Sequence, residues 1–221
     1  MEVKLISYSQ PVENLTARHL IDAQDLIAFC ARVSNPSNQM NTETSEKLIK
    51  YLVKHKHWSP LEMVSACLEI KTTRDIAHQI VRHRSFSFQE FSQRYADPEA
   101  QGEMFEYSEA RLQDPKNRQN SVEVEDSKLQ QEWEWAQRRI AVLAKKEYDW
   151  AIKKGIAKEQ ARKVLPEGLT KTTLYMNGTL RSWAHYIELR GANGTQKEHM
   201  DIAHACASVI SNIFPLVDEL N

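Results

Sequence analysis

Residues 82–95 read Arg-His-Arg-Ser-Phe-Ser-Phe-Gln-Glu-Phe-Ser-Gln-Arg-Tyr, a run in which three arginines and one histidine lie among four aromatic side chains. Guanidinium groups pair with phosphate oxygens bidentately and stay charged at any working pH. The rings of Phe86, Phe88, Phe91 and Tyr95 could line a site for a base or an isoalloxazine. The segment therefore favours binding of a nucleotide or a flavin.

A simpler interpretation of the same segment is a solvated basic helix end followed by a loop, and composition alone does not exclude it. Two features speak against this alternative. Three consecutive polar residues followed by alternating serine and phenylalanine fit neither a helical stripe nor a clean strand. Glu90 also stands where it could orient a guanidinium group. Both interpretations remain open on these residues alone.

Hydrophobic spacing around this segment predicts both strands and helices. Residues 64–70 alternate as a strand with one face more deeply buried, and Thr72 or Thr73 caps a helix that should run into residues 82–84. The other predicted elements are strands at 3–8 and 172–176, helices at 22–33, 45–55, 125–154 and 180–190, a short helix ending at 165, and a last helix after 194. They predict an α+β fold in which a mixed, largely antiparallel sheet packs with helices, one of them long.

The chain has 221 residues, which suits a single domain over 1–221. Residues 96–120 are polar and contain Pro98, Gly102 and Pro115, so we expect an irregular excursion over the surface there. The length of the helix predicted at 125–154 suggests contact with another subunit.

Charge and cysteine content exclude several classes of protein. Lysine plus arginine number 29 against 30 aspartates and glutamates, so no global basic field would collect nucleic acid. The three cysteines, Cys30, Cys67 and Cys206, lie far apart in the sequence, which argues against a disulfide framework. No apolar run approaches the roughly twenty residues that cross a bilayer, and residues 1–10 lack the pattern of a signal peptide. We expect a cytoplasmic protein without a membrane partner.

A second polar cluster lies at residues 177–190. Thr179 is placed to cap a helix on which Arg181 and His185, four residues apart, share a face. The positive end of that helix would favour phosphate, and Gly178 would let a ligand approach the backbone. The alternative is an amphipathic helix with an exposed arginine and histidine.

Other familiar motifs are missing from the sequence. No glycine-rich fingerprint follows a strand and no P-loop occurs, so side chains must hold any nucleotide. The histidines lack a carboxylate and a third ligand at a recognisable interval, which argues against a metal site. Arg162 and Arg190 are single arginines that would by default be surface charges.

The triplet Arg82-His83-Arg84, followed by seven residues and Ser92, is similar to the signature of flavin-dependent thymidylate synthases. The resemblance includes Glu90, Arg94 and Tyr95. It extends to segments elsewhere in the chain, in the expected order: Ala31-Arg32-Val33-Ser34, His57 with Ser59-Pro60, Ala161-Arg162 to Leu165-Pro166, and Arg181-x-Trp183-x-His185 through Arg190 to Gln196. Three positions depart from the usual pattern: Gln89 replaces a common Asn, Met63 a frequent His, and Thr179 a usual Asn.

The resemblance implies reductive methylation of dUMP to dTMP, with carbon from 5,10-methylenetetrahydrofolate, reducing equivalents from NADPH, and FAD passing the hydride. It also implies a homotetramer whose sites are shared between subunits. The residues it assigns to FAD are His57, Ser59, Arg82, His83, Arg84, Glu90, Thr179, Arg181 and His185. Those it assigns to dUMP are Gln79, Arg82, Glu90, Ser92, Gln93, Arg94, Arg162, Arg190 and Gln196.

In the mechanism that this resemblance implies, Arg190 is the catalytic residue. Its guanidinium stabilises charge as the uracil loses its N3 proton, so no cysteine nucleophile is needed. This agrees with the apolar or small neighbours of all three cysteines, since a reactive thiol needs an electropositive and accessible setting.

Two rival functions remain. Arginines interleaved with aromatic residues also form stacking platforms in modules that bind RNA or single strands, although the neutral overall charge argues against one here. The other rival is a flavoprotein that binds nucleotide but has lost methyl transfer.

Overall fold

The structure is a computed structural model that describes residues 1–16 and 19–214. These residues form six strands and eight α-helices, which confirms the predicted α+β class. The elements in chain order are β1 (Glu2–Tyr8), α1 (Glu13–Thr16), α2 (Ala23–Ala31), α3 (Ser45–Lys54), β2 (Ser65–Thr73), α4 (Arg74–Ile80), β3 (Ser87–Glu90), β4 (Arg111–Gln113), β5 (Ser121–Glu123), α5 (Ser127–Lys153), α6 (Lys158–Ala161), β6 (Lys171–Thr179), α7 (Leu180–Gly191) and α8 (Lys197–Ser211).

Four strands form one antiparallel sheet in the order β1-β2-β6-β3. The alternation predicted for 64–70 is confirmed, because Ala66, Leu68 and Ile70 are buried while their neighbours are half-buried. Strand β6 is longer than predicted and pairs with β2 over its whole length. The described strands of this sheet show no parallel pair, so it is less mixed than expected.

The core is formed by this sheet together with helices α2, α3, α4, α7 and α8. Trp183 on α7 is fully buried, and its indole Nε1 donates a hydrogen bond to the Ala66 carbonyl of β2 at 3.0 Å. Burying an aromatic side chain of this size contributes strongly to stability when its N–H finds a partner. This contact fixes α7 over the sheet and so sets the direction of the polar side chains that α7 carries.

Helix α4 ends at Ile80, so the prediction that it runs into residues 82–84 was wrong. The backbone instead turns twice, with the His83 N–H bonded to the Ile80 carbonyl and the Phe86 N–H bonded to the His83 carbonyl. It then enters β3, an edge strand that the sequence did not predict and that pairs with β6. The arginines of the triplet therefore lie on a tight turn between a helix and a strand.

Gly178 serves packing, which corrects the expectation that it opens the backbone to a ligand. A Cβ placed on Gly178 would lie 2.4 Å from a ring carbon of Phe86. The Phe86 ring also packs against Trp183, with ring centroids 4.8 Å apart. Phe86 and its neighbour Phe88 thus belong to the core rather than to a site for a flat ring, whereas Tyr95 is 75% exposed.

Only part of the 96–120 excursion is irregular. Residues Pro98–Gln101 form a short 3-10 helix, and β4 pairs with β5 in a small hairpin. Met104 is buried against Tyr148 and Ala151 of α5. Apolar contacts that the polar composition did not reveal therefore attach this excursion to the long helix.

The long helix is confirmed as α5. The Asp126 side chain accepts hydrogen bonds from the backbone N–H groups of Lys128 and Leu129 at its start. Gly155 follows the helix with φ of +78°, a conformation that glycine adopts without strain. Among the described residues, no helix is both long and apolar enough to span a bilayer.

Candidate active site

Arg190 and His83 meet where the end of α7 approaches the turn after α4. The Arg190 Nε–H donates a hydrogen bond to Nε2 of His83 at 2.9 Å. Burial, and next the nearby Arg190 charge, lower the pKa of His83 to about 4. His83 is therefore neutral near pH 7 and carries its proton on Nδ1, because Nε2 is the acceptor.

Gln79, the amide predicted on α4, belongs to a series of hydrogen bonds through His199, whose ring centroid lies 6.2 Å from that of His83. Its Oε1 is 3.3 Å from Nδ1 of His199, and its Nε2 donates to Oε1 of Gln196 at 2.7 Å. Nε2 of His199 lies 3.1 Å from the hydroxyl of Tyr186. His199 and Tyr186 were not predicted as site residues, because no sequence motif contains them. What distinguishes them from surface polar residues is their burial, which only the folded structure shows.

The start of α7 holds a second group of predicted residues. Thr179 caps the helix as expected, since its hydroxyl accepts the Ser182 N–H at 3.2 Å. The Leu180 N–H is bonded to the Val64 carbonyl. Two of the first N–H groups of α7 are thus already bonded, which corrects the expectation of an open phosphate site at this helix end.

Side chains near that helix start come from α7 and from the 3-10 turn Ser59–Met63. Arg181 forms an ion pair with Glu62 of this turn, and both side chains are about 40% exposed. The ring of His185 packs edge-on against Trp58 with centroids 4.7 Å apart. His57 and Ser59 flank Trp58 and are exposed, so the fold does bring the predicted His57, Ser59, Arg181 and His185 to one region.

Arg82 and Arg84 are exposed on the turn between α4 and β3. Within residues 1–16 and 19–214, neither guanidinium has a hydrogen bond or an ion pair, so both are available to an anionic ligand. Glu90 does orient a guanidinium, as the sequence suggested, but the partner is Arg74 at 3.2 Å. The same carboxylate oxygen also accepts the Thr172 hydroxyl at 2.9 Å.

A third group lies at the chain after β3. Arg94 is half exposed and pairs with Glu159 of α6 at 3.3 Å, while Arg162 directly follows that helix. Ser92 begins a turn in which its carbonyl accepts the N–H groups of residues 95 and 96. Gln93 is 3% exposed, and its Nε2 has no partner among the described residues. An unpaired buried amide is costly, so Gln93 is a candidate for contact with a bound group.

Apart from Arg82 and Arg84 on the turn and Glu90 at the end of β3, the predicted site residues fall into three groups in one chain. The first contains Arg190, His83, Gln79 and Gln196, the second surrounds Arg181 and His185, and the third surrounds Arg94 and Arg162. No hydrogen bond or ion pair among the described residues joins the first group to the third.

Cysteine chemistry is disfavoured throughout. Burial raises the pKa of the thiols of Cys30, Cys67 and Cys206, and Cys206 is fully buried. In the part of the chain that the structure describes, no group of three histidine, cysteine or carboxylate side chains is placed to hold a metal ion.

Known proteins resemble this chain over nearly its whole length. The family model described as thymidylate synthase complementing protein matches residues 16–216. A probable flavin-dependent thymidylate synthase of Paramecium bursaria Chlorella virus 1 is 48% identical over 217 residues, covering 98% of this chain and 97% of the relative. The flavin-dependent thymidylate synthase of Synechocystis sp. is 46% identical with the same coverage.

A solved structure shows the same fold. It is a UMP/dUMP methylase, PolB from Streptomyces cacaoi, bound with 5-Br dUMP. It superposes with a TM-score of 0.78 at 23% identity, over 99% of this chain and 93% of that one. Sequence identity to the two relatives over nearly the full chain, together with the family match, assigns this chain to the flavin-dependent thymidylate synthase family and makes it a methyltransferase enzyme.

Proposed function

We propose that the enzyme reductively methylates dUMP to dTMP, with 5,10-methylenetetrahydrofolate as carbon donor, NADPH as reductant and FAD as cofactor. The names of its relatives support this reaction, and the structural neighbour is bound to a dUMP analogue. The observation that carries the proposal is the hydrogen bond from Arg190 to His83, because it fixes a guanidinium close to the ring of His199, from which hydrogen bonds lead to Gln79 and Gln196.

The role of Arg190 follows from how it is held. Its Nε–H is engaged by His83, whereas its terminal nitrogens form no hydrogen bond within the described residues. A fixed positive charge of this kind stabilises negative charge that develops on a bound group, and it needs no reorganisation during the reaction. Arg190 would therefore stabilise the uracil ring as its N3 proton leaves, which activates the pyrimidine without a covalent bond to the enzyme.

The side chains present fit a flavin dinucleotide. The two exposed guanidinium groups of Arg82 and Arg84 have no partner among the described residues, and such forks match diphosphate oxygens. The same turn supplies His83. The region near His57 supplies the ring of His185 and the hydroxyl groups of Ser59 and Thr179. When bound, FAD would carry the hydride that reduces the transferred carbon. The proposed holders of FAD are His57, Ser59, Arg82, His83, Arg84, Glu90, Thr179, Arg181 and His185.

The nucleotide would be bound by the first and third groups. Arg94 and Arg162 supply charge for its phosphate, and the unpaired Nε2 of Gln93 supplies a donor. Because no hydrogen bond or ion pair among the described residues joins them to the Arg190 group, we propose that each site is completed by another subunit of a homotetramer. The proposed contacts to dUMP are Gln79, Arg82, Glu90, Ser92, Gln93, Arg94, Arg162, Arg190 and Gln196.

Helix α5 supports such an assembly. Apolar residues recur along one of its faces at alternating intervals of four and three, which is the spacing of a coiled-coil seam. Its members are Leu129, Trp133, Ala136, Ile140, Leu143 and, one heptad further, Trp150. Trp133, Ile140, Leu143 and Trp150 are 43% to 53% exposed, whereas the face toward the chain's own core carries Ala141, Ala144 and Tyr148. A second copy of this helix is the occupant we propose for this seam.

The raised pKa values of the cysteine thiols support a mechanism without a cysteine nucleophile. A thiol attacks as the thiolate, and burial disfavours that form at all three positions. The pyrimidine would then be activated by fixed charge alone.

One experiment tests the proposed reaction against its rivals. The purified protein should be yellow and should form dTMP from dUMP, methylenetetrahydrofolate and NADPH. A yellow protein that oxidises NADPH without forming dTMP would show that methyl transfer has been lost. A colourless protein whose binding to oligonucleotides falls steeply with salt would instead indicate a single-strand-binding module.

A further inference from the structure

Five side chains form a directed chain of hydrogen bonds from the core to the surface. It begins at Tyr186 on α7, continues through His199 of α8 and Gln79 of α4, and passes to Gln196 and Glu198. The carbonyl Oε1 of Gln79 can only accept, so Nδ1 of His199 must be the donor in their 3.3 Å contact. A neutral imidazole with its proton on Nδ1 has an acceptor at Nε2, which receives the Tyr186 hydroxyl proton.

We infer that His199 is a positioning residue, which fixes the amide orientation of Gln79 and, through it, that of Gln196, so that both turn N–H donors toward the nucleotide. This inference rests on the proposed function, which places both glutamines on dUMP. His199 itself is fully buried and would not touch the substrate.

The direction of these hydrogen bonds determines which donors the two amides can offer to a ligand. Oε1 of Gln79 accepts from His199, and Oε1 of Gln196 accepts from Gln79. The amide nitrogen of Gln196 uses one hydrogen on Glu198 at 3.0 Å. What remains for a ligand is therefore one N–H on each amide, and these donors suit an acceptor oxygen of the nucleotide.

Burial keeps the His199 ring neutral, and its two hydrogen-bond partners select one of the two neutral tautomers. Burial lowers its pKa to about 3, with further lowering from the Arg190 charge and from His83, so the ring stays neutral near pH 7. The opposite tautomer would set Nδ1 against Oε1 of Gln79, two acceptors facing each other. The hydroxyl of Tyr186 is also buried, and it would lose the acceptor that Nε2 now provides.

A double-mutant cycle between His199 and Gln79 tests the inference. We expect His199→Leu to raise the KM for dUMP about three- to tenfold, the value of one hydrogen bond, with kcat within about twofold. In a Gln79→Ala background the same substitution should add nothing. His199→Asn should recover most of the loss, because its amide nitrogen can occupy the place of Nδ1. The matched control is His204→Leu, an exposed histidine on the same helix, which should leave KM unchanged.

Three results would overturn it. The first is multiplicative effects of His199→Leu and Gln79→Ala on KM, and the second is a loss of kcat without a change in KM. The third is independent of activity: nitrogen-15 spectra of the histidine rings in the free protein should show His199 protonated at Nδ1, and an Nε2-protonated ring would refute the chain of donors.

If the leucine variant does not fold, Tyr186→Phe replaces it, with the same expected rise in KM and the same cycle against Gln79→Ala. Failure of the wild-type protein to form dTMP would refute the proposed reaction, while the tautomer would still decide the inference.

Discussion

Arg190 and His83 are 107 residues apart in sequence, yet the Nε–H of one donates to Nε2 of the other at 2.9 Å. The contact joins the end of α7 to the turn that follows α4, and each residue constrains the other. The arginine charge helps to keep the imidazole neutral, and the neutral imidazole offers the lone pair that orients the guanidinium.

Arg190→Ala is expected to abolish most turnover while the fold and the bound flavin are retained. A hydrogen bond to a charged group contributes about 1.5 to 3 kcal/mol, so kcat should fall by at least about tenfold to a hundredfold. Turnover with dUMP, the visible spectrum and the urea midpoint measure the three properties separately. Arg139→Ala, an exposed arginine on α5, is the matched control and should be neutral. Near-normal turnover of Arg190→Ala would exclude the catalytic role.

Stability should decrease as the pH falls from about 6.5 toward 4. In that window the unfolded chain binds a proton at residue 83, whereas the folded chain, with the pKa of His83 lowered to about 4, does not. The unfolded state is therefore favoured by protons, and His199 acts in the same direction with a pKa of about 3. Urea unfolding between pH 7 and 5.5, above the range of ordinary carboxylates, separates the effect from the titration of carboxylates.

His83→Gln should flatten this pH dependence, because it removes one of the two histidines that cause it. The matched control is His55→Gln, an exposed histidine. Equal slopes for His83→Gln and the wild-type protein would show that residue 83 does not titrate differently on unfolding.

The sequence predicted much of the framework and less of the site. The alternation of 64–70 and the length of α5 were readable because each repeats one simple period over many residues. Strand β3 was missed since its four residues are too few to show a period, and its partners in β6 lie 84 to 90 residues further along the chain. Residues such as His199 could not be found, because the signal that marks them is burial beside Tyr186, which only the packed structure shows.

Gly178→Ala should destabilise the fold by about 1 to 3 kcal/mol, the usual cost of overpacking a core. The added Cβ would lie 2.4 Å from the Phe86 ring, which also packs edge-on against the buried Trp183 and so cannot withdraw freely. Urea unfolding measures the effect. Gly168→Ala is the control, since its nearest neighbour would be 3.9 Å from the new Cβ. Equal midpoints for the two variants would mean that Phe86 has room to move.

Ile140→Glu is expected to dissociate the proposed tetramer. Ile140 lies in the middle of the apolar seam of α5 and is 53% exposed in the single chain, so a carboxylate there would have to be buried without a partner on assembly. Light scattering coupled to gel filtration should show a smaller species, with turnover lost because the Arg190 group and the Arg94 group would no longer meet. Val142→Glu offers a matched control on the same helix: residue 142 is 71% exposed and lies off the seam, so the assembly should persist.

An Ile140→Glu protein with the wild-type mass would place the subunit contact elsewhere. Loss of mass with full turnover would instead show that each chain carries a complete site, and the shared-site proposal would be wrong.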